Sequence, residues 1–403
     1  MKYTLPKEYY EEHEKSNVDM GRPPHKVVDL FSGAGGFSLG LEMPERLNGI
    51  SNLEYEGLGF EDDTFETVLA VENDDNTAET FRRNFDAEVF EKDIRNIDSF
   101  EQWADAEVVV GGPPCQGFSN LNKTQTEELD DERNTLWRQF FRAVEEIEPD
   151  VFLIENVPRF LKSQQGARSV EIAEELGYTT VVDTLWAHEY GVPQKRKRAF
   201  VLGSKLGVPF FPAKTDEETR TVRDAIGDLP NEPTEENWHV SRKHVTELSE
   251  KRFREVPPGG NRHDLPEELM PECWKNKTRG GTDLFGRLWW DRPSVTIRTE
   301  FYKPEKGRYL HPEAHRSITI REGARLQTFP DDFEFYGART RVAPQIGNAV
   351  PPKLSYHIGE AVADHLDGKT SDIDPKADTE HEVFQKSFRD GDVEQARLSV
   401  FNE

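Results

Sequence analysis

Short apolar runs, each closed by glycine, proline or an acidic residue and each followed by residues at helical spacing, recur through the first half of this chain. Lys26-Val27-Val28-Asp29-Leu30-Phe31 runs into Ser32-Gly33-Ala34-Gly35-Gly36-Phe37 and then Leu39, Leu41 and Met43: a strand, a glycine-rich turn and a helix start. Residues 67–72 form a second strand, after which Asp74 or Asp75 can cap a helix through Phe85. Residues 87–90, the latter leading to Lys92-Asp93-Ile94, and 107–110 read as two more strands. A helix over 134–148 carries Leu136, Phe140, Val144 and Ile147 on one face and leads into Val151-Phe152-Leu153-Ile154. This alternation predicts an α/β fold, a doubly wound and mostly parallel sheet. Residues 178–186 and 198–203 follow a further short helix and are close enough in sequence to form one antiparallel pair.

At the carboxyl edge of such a sheet ligands bind, and three features converge there. The strand 107–110 stops at Gly111-Gly112-Pro113-Pro114-Cys115-Gln116-Gly117-Phe118-Ser119, because proline cannot continue a ladder. Cys115 is then a thiol in a loop at a strand end, or a small buried hydrophobe, the usual fate of a free cysteine. Glu155 closes the next strand at the same edge, as a reactive acid or as a helix cap. The glycine turn at 33–36 with Glu72 at the end of the following strand suits an adenosine-type ligand, the carboxylate accepting from ribose hydroxyls; an ordinary tight turn and a capping acid are equally compatible. Glycine and acid are 39 residues apart, about twice the ~20 of a dinucleotide fingerprint. An acidic surface insertion at 44–66 accounts for the excess. Asp93, read as ending a third strand, is placed to meet an adenine amino group. In Gln194-Lys195-Arg196-Lys197-Arg198 the alternate residues Arg196 and Arg198 share one face of a strand start, although a solvated basic run is the plainer reading. Asn348 sits in a Gly-Asn turn before a helix over 352–365.

Composition narrows the setting. No stretch approaches the ~18 apolar residues of a membrane span, and the N-terminus has no apolar signal region, so a cytoplasmic protein is expected. Cys115 and Cys273 cannot close a cysteine-rich zinc site, and no metal is expected. A net charge of −26 argues against nucleic acid, yet it is uneven. Residues 241–341 hold 20 Lys+Arg against 16 Asp+Glu, the remainder 31 against 61. The basic segment is a candidate polyanion footprint. Arginine (30) outnumbers lysine (21) in this acidic chain, the pattern expected of a protein from a high-salt cytoplasm.

Six blocks together resemble the ordered motifs of the DNA (cytosine-5)-methyltransferases of prokaryotic type, over roughly residues 26–365. They are 29–37, 112–119, Glu155-Asn156-Val157, 194–198, Arg321-Glu322-Gly323-Ala324-Arg325-Leu326-Gln327-Thr328-Phe329-Pro330, and Gln345-Ile346-Gly347-Asn348-Ala349-Val350. The resemblance implies an N-terminal arm over 1–25 and a catalytic and cofactor-binding domain of class I methyltransferase type over 26–204. It also implies a small, irregular, mainly β target-recognition domain over 205–318, a return to the catalytic domain over 319–366, and an acidic tail over 367–403. S-adenosylmethionine is the implied cofactor, converted to S-adenosylhomocysteine. Phe31, Gly33, Gly35, Gly36, Glu72, Asp93, Ile94, Pro114 and Asn348 would bind it.

In this reading a cytosine is flipped out of double-stranded DNA, because its reactive atoms are inaccessible in the stack. Cys115 would add to C6, Glu155 would hold N3 and the amine, and Arg196 with Arg198 would support the Cys115 loop and the O2 side. Gln116, Ser119 and Thr296 would meet the substrate, and 116–132 would close over it. A monomer with no membrane partner is expected, with room for a cognate restriction endonuclease. The tRNA-methylating branch of the family carries Cys-Phe-Thr in its small domain, whereas Cys273 precedes Trp274-Lys275, which favours DNA. A non-catalytic paralogue would be expected to have lost Cys115 or Glu155.

Overall fold

The structure, a computed structural model, describes residues 22–49, 64–114, 136–215, 218–234, 236–240, 246–275 and 283–369. Seven strands form one sheet in the order β3-β2-β1-β4-β5-β8-β6. They are β1 (His25–Leu30), β2 (Phe65–Val71), β3 (Glu88–Phe90), β4 (Val108–Gly111), β5 (Val151–Asn156), β6 (Thr179–Trp186) and β8 (Lys197–Ser204). The first five pair in parallel, and β8 runs antiparallel to both β5 and β6. Alternate strand residues enter opposite cores, as the two-residue repeat of a strand requires. Val27, Val108, Val110, Val151, Leu153 and Leu202 lie in one, and Val28, Leu30, Val109, Phe152, Ile154 and Val201 in the other. Both faces are therefore dry, which is why these strands read as continuous apolar runs.

The first face is covered by α1 (Gly36–Glu42) and the C-terminal helix α10 (Pro352–Leu366), the second by α3 (Leu136–Ile147) and α4 (Gln164–Glu175). The chain leaves β1 for β2 and β3 on one side, then returns to β4 and β5 on the other. The strand order thus reverses between β1 and β4, where an open parallel sheet leaves a crevice at its carboxyl edge. A third core joins α2 (Asp75–Asn84) to the returning chain, through α8 (Ile320–Leu326), α9 (Arg339–Asn348) and the aromatics Phe301, Tyr309, Phe329 and Phe333. No helix among the described residues is long and apolar enough to cross a membrane.

The expected antiparallel pair is present as β6 and β8. Two readings are corrected. β3 ends at Phe90, so Asp93 lies past the strand and caps the short turn Ile94–Asn96. Asn348 is the last residue of α9 rather than part of a turn, because Val342, Ala343, Gln345 and Ile346 are buried and hold a helical stretch despite Pro344. Of the predicted insertion 44–66, Pro44–Gly49 is a 3-10 turn and residues 50–63 lie outside the described residues.

The described residues of 205–318 are irregular, with the short helices α5 (Val222–Ile226), α6 (Glu247–Glu255) and α7 (Glu272–Lys275). Among the described residues their expected β character is confined to β9 (Ser294–Val295), which pairs with β7 (Gln194–Lys195), and to bridges of Leu310 with Arg287 and Ser317. Arginine side chains take the place of ladders here. Arg287 donates to the carbonyls of Phe253, Val256, His311, Glu313 and Ala314, and Arg308 to those of Gly259, Gly260 and Arg287.

Candidate active site

A cavity of about 750 Å³ opens at the carboxyl ends of β1, β2, β4 and β5. Its walls include Phe31, Gly33, Gly36, Glu72, Asp93, Ile94, Pro114, Glu155, Arg198 and Asn348, so most of the residues singled out from sequence meet at one place. Cys115, Gln116 and Ser119 lie outside the described residues, directly after Pro114.

The β1 end is built by a tight turn. Phe31 adopts the left-handed conformation with φ 59°, as do Gly33 at 56° and Gly35 at 87°. For phenylalanine that costs ~1–2 kcal/mol, and it holds the ring at the cavity wall. The Gly33 N–H donates to Glu72 Oε2 at 3.0 Å, while Glu72 Oε1 accepts from the N–H groups of Asn73 and Asp74, both at 2.8 Å. Burial pushes the Glu72 carboxyl up and these three bonds oppose it, leaving it raised overall. Three of roughly four lone-pair sites are taken, so one remains for a ligand hydroxyl. The Ser32 hydroxyl also lines the cavity, buried and without a partner among the described residues.

The expected cofactor glycines differ from one another. A methyl on Gly36 would lie 2.4 Å from the Val350 carbonyl, which pins the turn against the returning chain. Gly35 is not in the cavity wall: it faces α2, and a methyl there would strike the Phe85 ring at 2.3 Å. Its part is to let β1 and α2 approach.

At the β4–β5 end, Arg198 Nε stands 2.8 Å from Glu155 Oε1, and a methyl on Gly112 would meet Glu155 Oε2 at 3.2 Å. Burial lowers the Arg198 guanidinium from its ordinary range and the Glu155 charge opposes that fall. Asn156 is the residue sequence reasoning passed over. Its Nδ2 donates to the Pro113 carbonyl at 2.9 Å and its Oδ1 accepts from the Val157 N–H at 2.8 Å. The acid's strand end is thereby tied to the loop that carries Pro114. Its place between Glu155 and Val157 was the available signal.

Of the two arginines of the basic run, Arg198 lines the cavity and Arg196 does not. Arg196 falls in the break between β7 and β8, fully buried, and donates to the carbonyls of Ile297, Gly347 and Asn348 at 3.0–3.2 Å. Strand alternation fails because the strand restarts at Lys197. Thr296 lies beside it, not in the cavity wall: its hydroxyl donates to the Lys195 carbonyl at 2.8 Å. Asp93 is ion-paired to Arg95 at 2.7 Å, which holds its carboxyl below the usual range. Among the described residues no group of three His, Cys, Asp or Glu side chains could hold a metal ion.

Comparison with known proteins agrees with this geometry. The family model described as C-5 cytosine-specific DNA methylase matches residues 25–364. The chain is 37% identical to the Type II methyltransferase M1.HphI of Haemophilus parahaemolyticus, over 83% of this chain and 86% of that one. It is 36% identical to the Type II methyltransferase M.Eco47II of Escherichia coli, over 85% and 80% respectively. A solved prophage-encoded protein of E. coli, described as a DNA modification methyltransferase, superposes with a TM-score of 0.59 at 26% identity, covering 85% of this chain and 99% of its own. A parallel sheet with an acid and a proline loop at one carboxyl edge, a family match spanning nearly all of the described chain and these relatives make the protein a C-5 cytosine-specific DNA methyltransferase.

Proposed function

We propose that the protein methylates C5 of a cytosine flipped out of double-stranded DNA, with S-adenosylmethionine as donor and Cys115 as nucleophile. One observation carries this reading: Glu155, paired to Arg198, and Pro114, the residue before Cys115, share a cavity with the Phe31 and Glu72 end. The residues fit the cofactor. The cavity is large enough, Glu72 keeps one acceptor for a ribose hydroxyl, and Ser32 offers an unpartnered hydroxyl. Bound there, S-adenosylmethionine would supply an electrophilic methyl group on a sulfonium, beside the Phe31 face.

The chain's own groups carry the rest. The Cys115 thiolate adds to C6 and raises the electron density at C5; S-adenosylmethionine, when bound, would supply the methyl and leave as S-adenosylhomocysteine. Glu155 accepts from the exocyclic amine and bonds N3 through one proton shared between the two, which favours the protonated ring that takes up the developing charge, and the charge of Arg198 keeps its carboxyl oriented. Loss of the C5 proton to water then breaks the C6–S bond, which expels the thiolate and restores the ring. Arg196 acts as a positioning residue, holding the carbonyls at Asn348 and Ile297. Gln116 and Ser119 start the segment that closes on the base, and 205–318 reads the target sequence, Thr296 lying near the backbone of the flipped nucleotide. The site of action is cytoplasmic DNA, with a cognate endonuclease as the natural counterpart.

Duplex DNA carrying 5-fluorocytosine tests the mechanism, because fluorine cannot leave as the proton does. With S-adenosylmethionine present, the DNA should become covalently attached at Cys115, and C115S should form no adduct. An adduct elsewhere, or none, overturns the assignment. Sequencing the methylated cytosines of treated DNA would name the site.

A further inference from the structure

Beyond β3 the chain holds one carboxylate in an unusually defined state. Asp93 Oδ1 accepts from both the backbone N–H and the Nε of Arg95, each at 2.9 Å, and Oδ2 accepts from Arg95 Nη2 at 2.7 Å. A carboxylate has about four lone-pair sites, so Oδ1 is filled and Oδ2 keeps one. The pair is local to the turn Ile94–Asn96, and both residues line the cavity next to Ile94. Their side chains are 29% and 44% exposed, so the ion pair contributes little to stability.

We propose that Arg95 is a positioning residue that sets the base selectivity of the adenosyl pocket: it locks Asp93 so that a single acceptor is left to read one N–H of a 6-amino purine. The inference rests on the cofactor reading given above. A carboxylate free to rotate would turn away from a 6-oxo purine, whose oxygen repels it, and would bind either base weakly. A locked one cannot turn away. Preorganisation lowers the ordering cost for the amino ligand and keeps the clash with the oxo ligand, which is how a site discriminates.

Calorimetric titration of the full chain with S-adenosylhomocysteine and S-inosylhomocysteine tests this. Wild type should prefer the adenosyl ligand. R95A should weaken adenosyl binding roughly five- to tenfold and move inosyl binding less than about twofold, so that the preference collapses. R95Q should behave alike, since one amide cannot replace a two-point guanidinium contact. Equal losses for both ligands would mean a merely structural role and would overturn the proposal, as would an unchanged preference. Failure of wild type to bind S-adenosylhomocysteine would overturn the cofactor reading itself, and it is told apart by appearing before any substitution.

Discussion

At the scale of single residues, the oddest group is Asp29, a carboxylate at 1% exposure in the middle of β1. Its Oδ2 accepts from the Ser38 hydroxyl at 2.8 Å and its Oδ1 has no partner among the described residues. Ser38 in turn accepts from the Thr67 hydroxyl, and the Thr67 N–H donates to Glu42. Burial, aided by the charges of Glu42 and Glu72, pushes Asp29 up to about 7, and burial likewise pushes Glu42 up to about 7. Both lie above their ordinary values, so these two groups bind more protons in the folded than in the unfolded chain between about pH 4 and pH 7. The stability they contribute falls as pH rises through that window. D29N removes one of the two titrations. Its unfolding free energy relative to wild type should improve between pH 4.5 and pH 8, by an upper bound on the order of 4 kcal/mol, less the cost of burying the new amide. A gap that stays constant with pH would contradict this. From sequence Asp29 was visible as a strand residue and as the start of the block 29–37, and its burial was not, because period two places it on a face without telling how dry that face becomes. The acid Glu155 was easier, since a strand end is legible from the residue types around it.

At the scale of elements, the central strands β1, β4 and β5 were legible because they are buried on both faces, and the antiparallel β8 because its connection to β6 is short. What was not legible was decided by partners far along the chain. β7 and β9 pair residues 194–195 with 294–295, a contact no local pattern encodes. The same holds for α1, whose seven residues include Gly36 and Gly40 and would be a poor helix alone. Gly40 shows why they are there: a methyl on it would lie 2.2 Å from the Pro352 carbonyl and 2.6 Å from the Tyr356 nitrogen of α10. Helix propensity alone predicts that G40A stabilises by ~1 kcal/mol. Close packing predicts the opposite, a loss of about 1–3 kcal/mol net, because the obstacle is backbone that cannot rotate aside. Denaturant unfolding decides between them. A stabilised G40A would mean that α10 shifts freely, and the cavity wall at Asn348–Val350 would then be less fixed than the geometry implies.

At the scale of the whole molecule, charge counting along the sequence was the weakest guide. The segment 241–341 was read as a basic footprint, yet Arg262, Arg287, Arg308, Arg316, Arg321 and Arg325 are each 1–6% exposed. Several of these guanidiniums fasten carbonyls and carboxylates inside the fold. Arg316 grips Glu322 with two bonds of 2.8 Å, and Arg325 reaches Asp228, Asp331 and the Ala225 carbonyl. Burial alone draws Arg287 down to about 10, and it remains charged at neutral pH. A linear count cannot separate such a clamp from a phosphate contact; only burial can. Two substitutions make the distinction measurable. R287K keeps the charge but replaces a five-donor fork with one nitrogen, leaving carbonyls unpaired at ~1–3 kcal/mol each. It should lower the melting temperature markedly while cofactor affinity in the surviving folded protein changes little. Arg298 is exposed, two residues past Thr296. R298A should leave the melting temperature alone, weaken binding to all duplex sequences alike, and reduce the slope of log affinity against log salt by about 1. If R298A unfolded the protein and R287K changed only the salt slope, the arginines would have been assigned the wrong way round. The net −26 makes the second measurement sensitive, since an acidic molecule that binds DNA must concentrate its phosphate contacts in the few cations its fold leaves outside.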